Sequence, residues 1–309
     1  MNLIGNYYVN AVITRSITQK MIYTNIHNLP ESVYKLLAKD RYNGSSSTDY
    51  SVTTLLQPPR ITQLSRRYAS ILTEDIMSNL WSLFGQVAHS LLEEHGAENA
   101  LNEERIHVTM LERVVSGQVD SYSDGIITDY KVTSAWTLVY GSRIKEWEEQ
   151  LNLYSFLFQS EGYSVRQLRI CAILRDWDKN KAKQNKDYPQ TPIVIIPLTL
   201  WNKDKTEEYL IDRLSLHKDA EELTDEDLPL CSKEDMWEQQ TKYAVMSSKR
   251  KTAVKLFDDK EEAEAFIFLA KDASQYLQTR CGKRTRCQDY CSVNKFCNSY
   301  QDYLKEQES

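Results

Sequence analysis

The chain has 309 residues, of which 41% are hydrophobic and 27% charged, and a formal net charge of −6. That length and apolar content support one large globular domain with appendages or two modest ones, and exclude a disordered chain. No stretch is long and apolar enough to span a membrane, and Met1 to Tyr8 lacks the basic region and apolar core of a secretory signal, so a cytoplasmic, non-membrane protein is expected. The negative balance counts against a wholly basic nucleic-acid-binding domain, because phosphate contacts need Lys and Arg. Acid is concentrated at 219–227, however, and base at 179–186, 242–255 and 280–286, which leaves room for a basic groove.

Residues 1–62 read as an N-terminal arm. It holds a short helix near 31–38, a polar loop at 43–49, and a Ser-capped helix start at 51–56 closed by Pro58 and Pro59. The next unit, 63–222, opens with a helix candidate from about Ser65 to Glu94 that is open to splitting. Its second half carries Gly85, then His89 and Glu93, which are four apart and share a helix face. Glu103 and Glu104 follow, and either could add a carboxylate to what comes next.

The most informative stretch is 117–131. A run carrying Asp120 enters a Ser123-Asp124-Gly125 turn, and a second run carrying Asp129 and Lys131 leaves it. Hydrophobic runs flanking Asp-Gly predict a hairpin. Asp129 and Lys131 are two apart, so both side chains leave one face of a strand. Two carboxylates and one amine gathered across a hairpin suit a magnesium site, since this ion prefers oxygen ligands and takes few protein carboxylates. The lysine beside it would orient water or stabilise developing negative charge.

A helix over 143–160 places Gln150 and Tyr154 on one face. A strand over 166–175 carries Cys171 as a packed core residue. A lysine-rich loop at 178–188, a strand at 193–196 and a helix at 199–217 complete the unit. The tail, 223–309, reads as mainly helical and ends in a cysteine cluster. The fold class is α/β, with a mixed central β-sheet flanked by helices.

Taken in order, Gly85 to His89, Gly117 to Asp120, Asp129 to Lys131 and Gln150 to Tyr154 resemble the motifs of the PD-(D/E)XK nuclease superfamily, in its RecB-type branch. The match spans roughly residues 81–175. The resemblance implies a restriction-endonuclease-like core at 63–222. It implies Mg²⁺ or Mn²⁺ held by His89, Asp120 and Asp129, with the backbone carbonyl of Tyr130 adding an oxygen. Lys131 would be the catalytic lysine, and Gln150 and Tyr154 would support the site or the DNA. Asp129 stands where the family often has Glu; Asp is within its range but shorter. The implied activity is that of a metal-dependent DNA nuclease, an exonuclease of a phage-encoded type, hydrolysing phosphodiester bonds in DNA processing or recombination. DNA is the implied partner, together with a recombination or replication protein, in the cytoplasm of a host cell. The competing readings are a catalytically silent DNA-binding or assembly factor on the same fold and a zinc-binding adaptor. An intact Asp120, Asp129 and Lys131 set argues against the first, because a binding module does not need it, and metal-dependent nucleolysis lost on changing one carboxylate would separate the nuclease from both.

Four of the six cysteines fall at 281, 287, 291 and 297, with Cys231 upstream. A cytoplasmic chain does not normally keep disulfides, so the crowding points to metal or redox chemistry. The spacing lacks the short Cys-x2-Cys knuckle typical of zinc. Some RecB-type exonucleases carry an iron–sulfur cluster on three closely spaced C-terminal cysteines and a fourth that precedes the core. No cysteine precedes Cys171 here, so the partner of Cys287, Cys291 and Cys297 is Cys231 or Cys281. Proximity favours Cys281, and partial resemblance to phage-encoded relatives favours Cys231. A [4Fe–4S] cluster is expected, with structural Zn²⁺ as the alternative.

Overall fold

The computed structural model describes residues 22–39, 48–96 and 99–308; residues 1–21 of the arm and most of the polar loop at 43–49 lie outside them. The arm contributes β1 (Ile22–Thr24), α1 (Glu31–Leu37), β2 (Tyr50–Ser51) and α2 (Val52–Leu55). Ser51 caps α2, its Oγ accepting from the Thr54 N–H at 3.1 Å. Tyr50, Val52 and Leu55 are buried in the main core, so this part of the arm packs as part of the nucleus of the fold. The helix expected over 65–94 is split. The first piece, α3 (Pro59–Arg67), ends well before β3 (Thr73–Asp75), which pairs in parallel with β1; a 3-10 turn then leads into α4 (Leu80–Glu94).

The central sheet contains β2, β4 (Leu101–Met110), β5 (Arg113–Ser123), β6 (Ile126–Thr133), β7 (Gln167–Leu174) and β8 (Ile193–Leu198). It is mixed: β6 and β7 run parallel, whereas β5–β6 and β7–β8 are antiparallel. Asp124 and Gly125 make the two-residue turn between β5 and β6 with φ of 49° and 74°. Positive φ at both positions matches strand twist, and Asp-Gly tolerates it. One edge of β5 is covered by β4 along nearly its whole length. The other edge is shared: β2 pairs with Val115 and Ser116, and β6 pairs only with Ser121 to Ser123. The sheet therefore forks at Gly117–Asp120, where β6 leaves β5 and continues along β7.

Helices cover the sheet. After β6 come α5 (Ala135–Tyr140) and α6 (Ile144–Ser160); α7 (Lys179–Gln184) and α8 (Lys203–Asp219) flank β8 in sequence. Trp147, Leu151, Leu153, Leu157 and Phe158 of α6 are nearly inaccessible, and so are alternate residues Leu168, Ile170 and Ala172 of β7. That period of two is what a half-covered strand demands. It leaves Cys171 on the opposite face and half-buried, not in the core. The lysine-rich loop at 178–188 instead contains α7, capped by Asp178 Oδ1, which accepts from the N–H groups of Asn180 and Lys181.

The tail is helical only in part. An antiparallel sheet in the order β10-β9-β11 is built from β9 (Lys242–Ser247), β10 (Arg250–Phe257) and β11 (Gln275–Arg280), with α9 (Lys260–Ala270) between the last two. Then α10 (Thr285–Asp289), a 3-10 turn and α11 (Asn298–Glu308) close the chain. The basic residues at 242–255 belong to this sheet, whose β10 is largely exposed. A second apolar cluster of Leu64, Leu72, Ala220, Leu228 and Val293 joins α3 to the C-terminus, with Cys291, Phe296 and Cys297 packed against it.

Candidate metal centre and four-cysteine cavity

The fork gathers the polar residues. Glu103 on β4 falls between the pairs Asn102–Ser121 and Glu104–Val119, and its carboxylate comes within 4.8 Å of that of Asp120 on β5. Like charges directly opposite one another in a ladder are destabilising. Glu103 also has φ of 52°, a left-handed conformation that costs a non-glycine residue energy and persists where its surroundings enforce it. His89 of α4 sits between the two acids. Its Nδ1 is 3.2 Å from Asp120 Oδ1 and 3.7 Å from Glu103 Oε1. Hydrogen bonds to Asp120 and then Glu103 hold the His89 pKa up at about 10, so the ring is cationic when no other cation is present. His89 Nε2 donates to the Tyr130 carbonyl at 2.9 Å, and Gln118 Nε2 donates to Glu103 Oε2 at 2.6 Å.

Asp120 joins this group to β6. Its Oδ2 accepts from the Tyr130 N–H at 2.6 Å, taking a donor that pairing with β5 would otherwise have used. On either side of Tyr130, Asp129 and Lys131 share the face of the buried Ile127 and form an ion pair of 2.6 Å. Burial raises the Asp129 carboxyl pKa against the pull of Lys131. Burial pushes the Lys131 amine the other way, but the Asp129 carboxylate outweighs it, and the amine stays charged. Gln150 and Tyr154 are both buried, and Gln150 Nε2 donates to the Tyr154 hydroxyl at 2.8 Å. Tyr154 packs against Gly117, where no side chain fits between β5 and α6.

His89, Glu103 and Asp120 each offer one ligand atom, and these atoms lie within 4.8 Å of one another. One imidazole and two carboxylates suit a divalent cation of the magnesium or manganese type. Of the acids singled out from sequence, the structure brings Asp120 and His89 together, sets Asp129 against Lys131, and gives the Tyr130 carbonyl to His89. Glu103, left undecided against Glu104, completes the group, and Glu104 is exposed. The signal that separates them is the pairing register of β4 with β5.

A second site lies beside α3. Cys231, Cys287, Cys291 and Cys297 line one cavity, together with Arg60 and Arg286. Cys281 is exposed and does not line it. Burial, reinforced by Asp235 and the neighbouring sulfurs, pushes the Cys231 thiol up to about 12; burial also raises Cys287 to about 11. No three of these sulfurs lie within 4.8 Å of one another.

No family model matches the chain, and no curated protein matches it. Among solved structures, it is similar to SSO0001 at 19% identity, covering 60% of this chain and 84% of that one with a TM-score of 0.39. It is also similar to a phage-related exonuclease from Haemophilus somnus 129PT at 14% identity, covering 62% and 77%, with a TM-score of 0.27. Among the described residues, no helix is long and apolar enough to cross a membrane.

Proposed function

We propose that this protein is a metal-dependent deoxyribonuclease that removes nucleotides from DNA ends. The observation that carries the reading is the facing pair Glu103 and Asp120 with His89 between them, set at a fork in the sheet beside Lys131. Two acids opposed across a ladder, one on a strained backbone, make physical sense when a cation lies between them. His89, Glu103 and Asp120 are the residues that would hold it. Its chemistry there is charge neutralisation at a phosphodiester and a lowered water pKa. The Tyr130 carbonyl fixes the His89 ring through its second nitrogen. Lys131, held charged by Asp129, offers a positive charge to the negative charge that builds on the phosphate. Gln150 and Tyr154 stiffen α6 against the strand that carries Asp120.

The four-cysteine cavity is read as the seat of a [4Fe–4S] cluster on Cys231, Cys287, Cys291 and Cys297. Four half-buried thiols converging from two distant segments form the donor set that such clusters use.

The test is incubation with end-labelled single- and double-stranded DNA in Mg²⁺, Mn²⁺ or EDTA. Metal-dependent loss of terminal nucleotides is expected. Asp120→Ala should lose both cleavage and Mn²⁺ binding, whereas Lys131→Ala should lose cleavage and keep Mn²⁺. Full activity in either variant, or cleavage undiminished in EDTA, would defeat the assignment. Tight DNA binding without cleavage would favour a silent binding factor.

A further inference from the structure

Arg60, on α3, is 1% exposed. Its guanidinium donates to the backbone carbonyls of Asp225 at 3.2 Å, Glu226 at 3.4 Å, Pro229 at 3.1 Å and Leu228, and to Asn298 Oδ1 at 2.6 Å. Its Nη1 also stands 4.0 Å from Cys297 Sγ. None of these acceptors is a carboxylate. The Asp225 carboxylate is taken by Arg67 at 2.6 Å and the Tyr68 hydroxyl at 2.5 Å. Asp235, which lines the same cavity, accepts from the N–H and hydroxyl of Ser232. Arg60 is in direct ion-pair contact with neither of these acids, although its charge is among those that lower the Asp225 pKa.

A buried cation without a directly paired counter-ion is expensive, and neutral carbonyls offset only part of the cost. The cavity that Arg60 lines supplies the missing charge when its cysteines bind metal, because they bind as thiolates. Four thiolates around an iron–sulfur cluster leave a net negative group. The placement adds a second role. Arg60 grips the loop 225–229 that leads into Cys231, and it grips Asn298, which follows Cys297. One side chain therefore joins the two segments that carry the ligands. We propose that Arg60 is the buried counter-charge of the four-cysteine centre and the positioning residue that brings Cys231 to Cys297. The proposal rests on the iron–sulfur reading given above.

The experiment uses the full chain purified anaerobically, with iron content and cluster midpoint potential as readouts. Reduction adds a negative charge that a neighbouring cation favours. Arg60→Gln should therefore shift the midpoint to more negative potential and lose iron several-fold faster to a chelator. Arg60→Lys keeps the charge but not the planar fork that spans 225–229 and Asn298, so it should keep the wild-type midpoint and still lose iron faster than wild type. Wild-type protein without iron would sink the iron–sulfur reading itself. An iron-loaded wild type with an Arg60→Gln variant of the same midpoint and chelation rate would overturn the role of Arg60 alone. If Arg60→Gln does not fold, Arg60→Lys decides: a folded variant at the wild-type midpoint that yields its iron faster to the chelator supports the proposal, and a shifted midpoint or a wild-type chelation rate overturns it.

Discussion

Replacing Gly117 with alanine puts one methyl group where β5 meets α6. A Cβ there would lie 2.6 Å from Leu157 Cδ1 and 2.7 Å from Tyr154 Cδ1, both well inside van der Waals contact. The neighbours have little freedom to give way. Leu157 is 1% and Tyr154 5% exposed, and the Tyr154 ring is rigid with its hydroxyl tied to Gln150. Overpacking by one methyl in such a layer costs roughly 1–3 kcal/mol. Alanine recovers roughly 0.4–1 kcal/mol by narrowing the unfolded ensemble. The net expectation is a loss of about 1–2 kcal/mol, read as a lower urea midpoint at unchanged slope. Asp120 lies three residues along the same strand, so cleavage per folded molecule should fall as well. A Gly117→Ala protein as stable as wild type would refute the close-approach argument, since only the entropic gain would then be visible.

Other outcomes follow from the two sites and the core. Glu103→Gln should weaken Mn²⁺ binding by about tenfold or more, in the range by which metal-site support is commonly lost, while Glu104→Gln leaves it unchanged; titration calorimetry separates them, and equal effects would unseat Glu103 as a ligand. Cys231→Ser should bleach the anaerobically purified protein and Cys281→Ser should leave about four irons per chain, as a four-cysteine cluster requires; the reverse result would make Cys281 the ligand. His217 of α8 is fully buried, and its Nε2 donates to the carbonyls of Leu55 and Gln57. Burial pushes its pKa down from 6.5 to about 4, so the unfolded chain binds the proton more readily than the folded one. Its contribution is complete above pH 6.5 and is lost as pH falls toward 4, a swing of roughly 3 kcal/mol. Urea midpoints should drop between pH 7 and pH 5, and His217→Gln should flatten that slope; an unchanged slope in the variant would exclude His217 as the source.

The hairpin was legible because its information is local: Asp124-Gly125 between two apolar runs sets both the turn and the strand parity of Asp129 and Lys131. His89 was legible only through the resemblance to a known order of motifs, and Asp120 through that resemblance and its place on the hairpin. Glu103 was not, because choosing it over Glu104 needs the register between β4 and β5, and Glu103, Glu104 and Arg105 hide the alternation of β4. Cys231 was undecidable for a similar reason. Cys281 is nearer in sequence to the other cysteines, but it is exposed and stands outside the cavity that Cys231 lines. The tail sheet escaped notice because lysine and arginine occupy its exposed positions. The same solvated charges that mark a surface also mask a period of two.

The tail sheet has a property of its own, set by how it is attached. The chain leaves after Cys231 and returns at Cys287, and strands β9 to β11 pair with one another in a sheet separate from the central one. Exit and return are fastened side by side: the Gln239 N–H donates to the Lys283 carbonyl at 2.9 Å, the Gly282 N–H donates to Thr241 Oγ1 at 3.1 Å, and Glu238 bridges to Arg284. The segment is thus a circuit closed at its neck. Lengthening a closed circuit costs entropy that grows only with the logarithm of its length. Lengthening or shortening this stretch should therefore cost little while the sheet fork and the cysteine cavity keep their shapes.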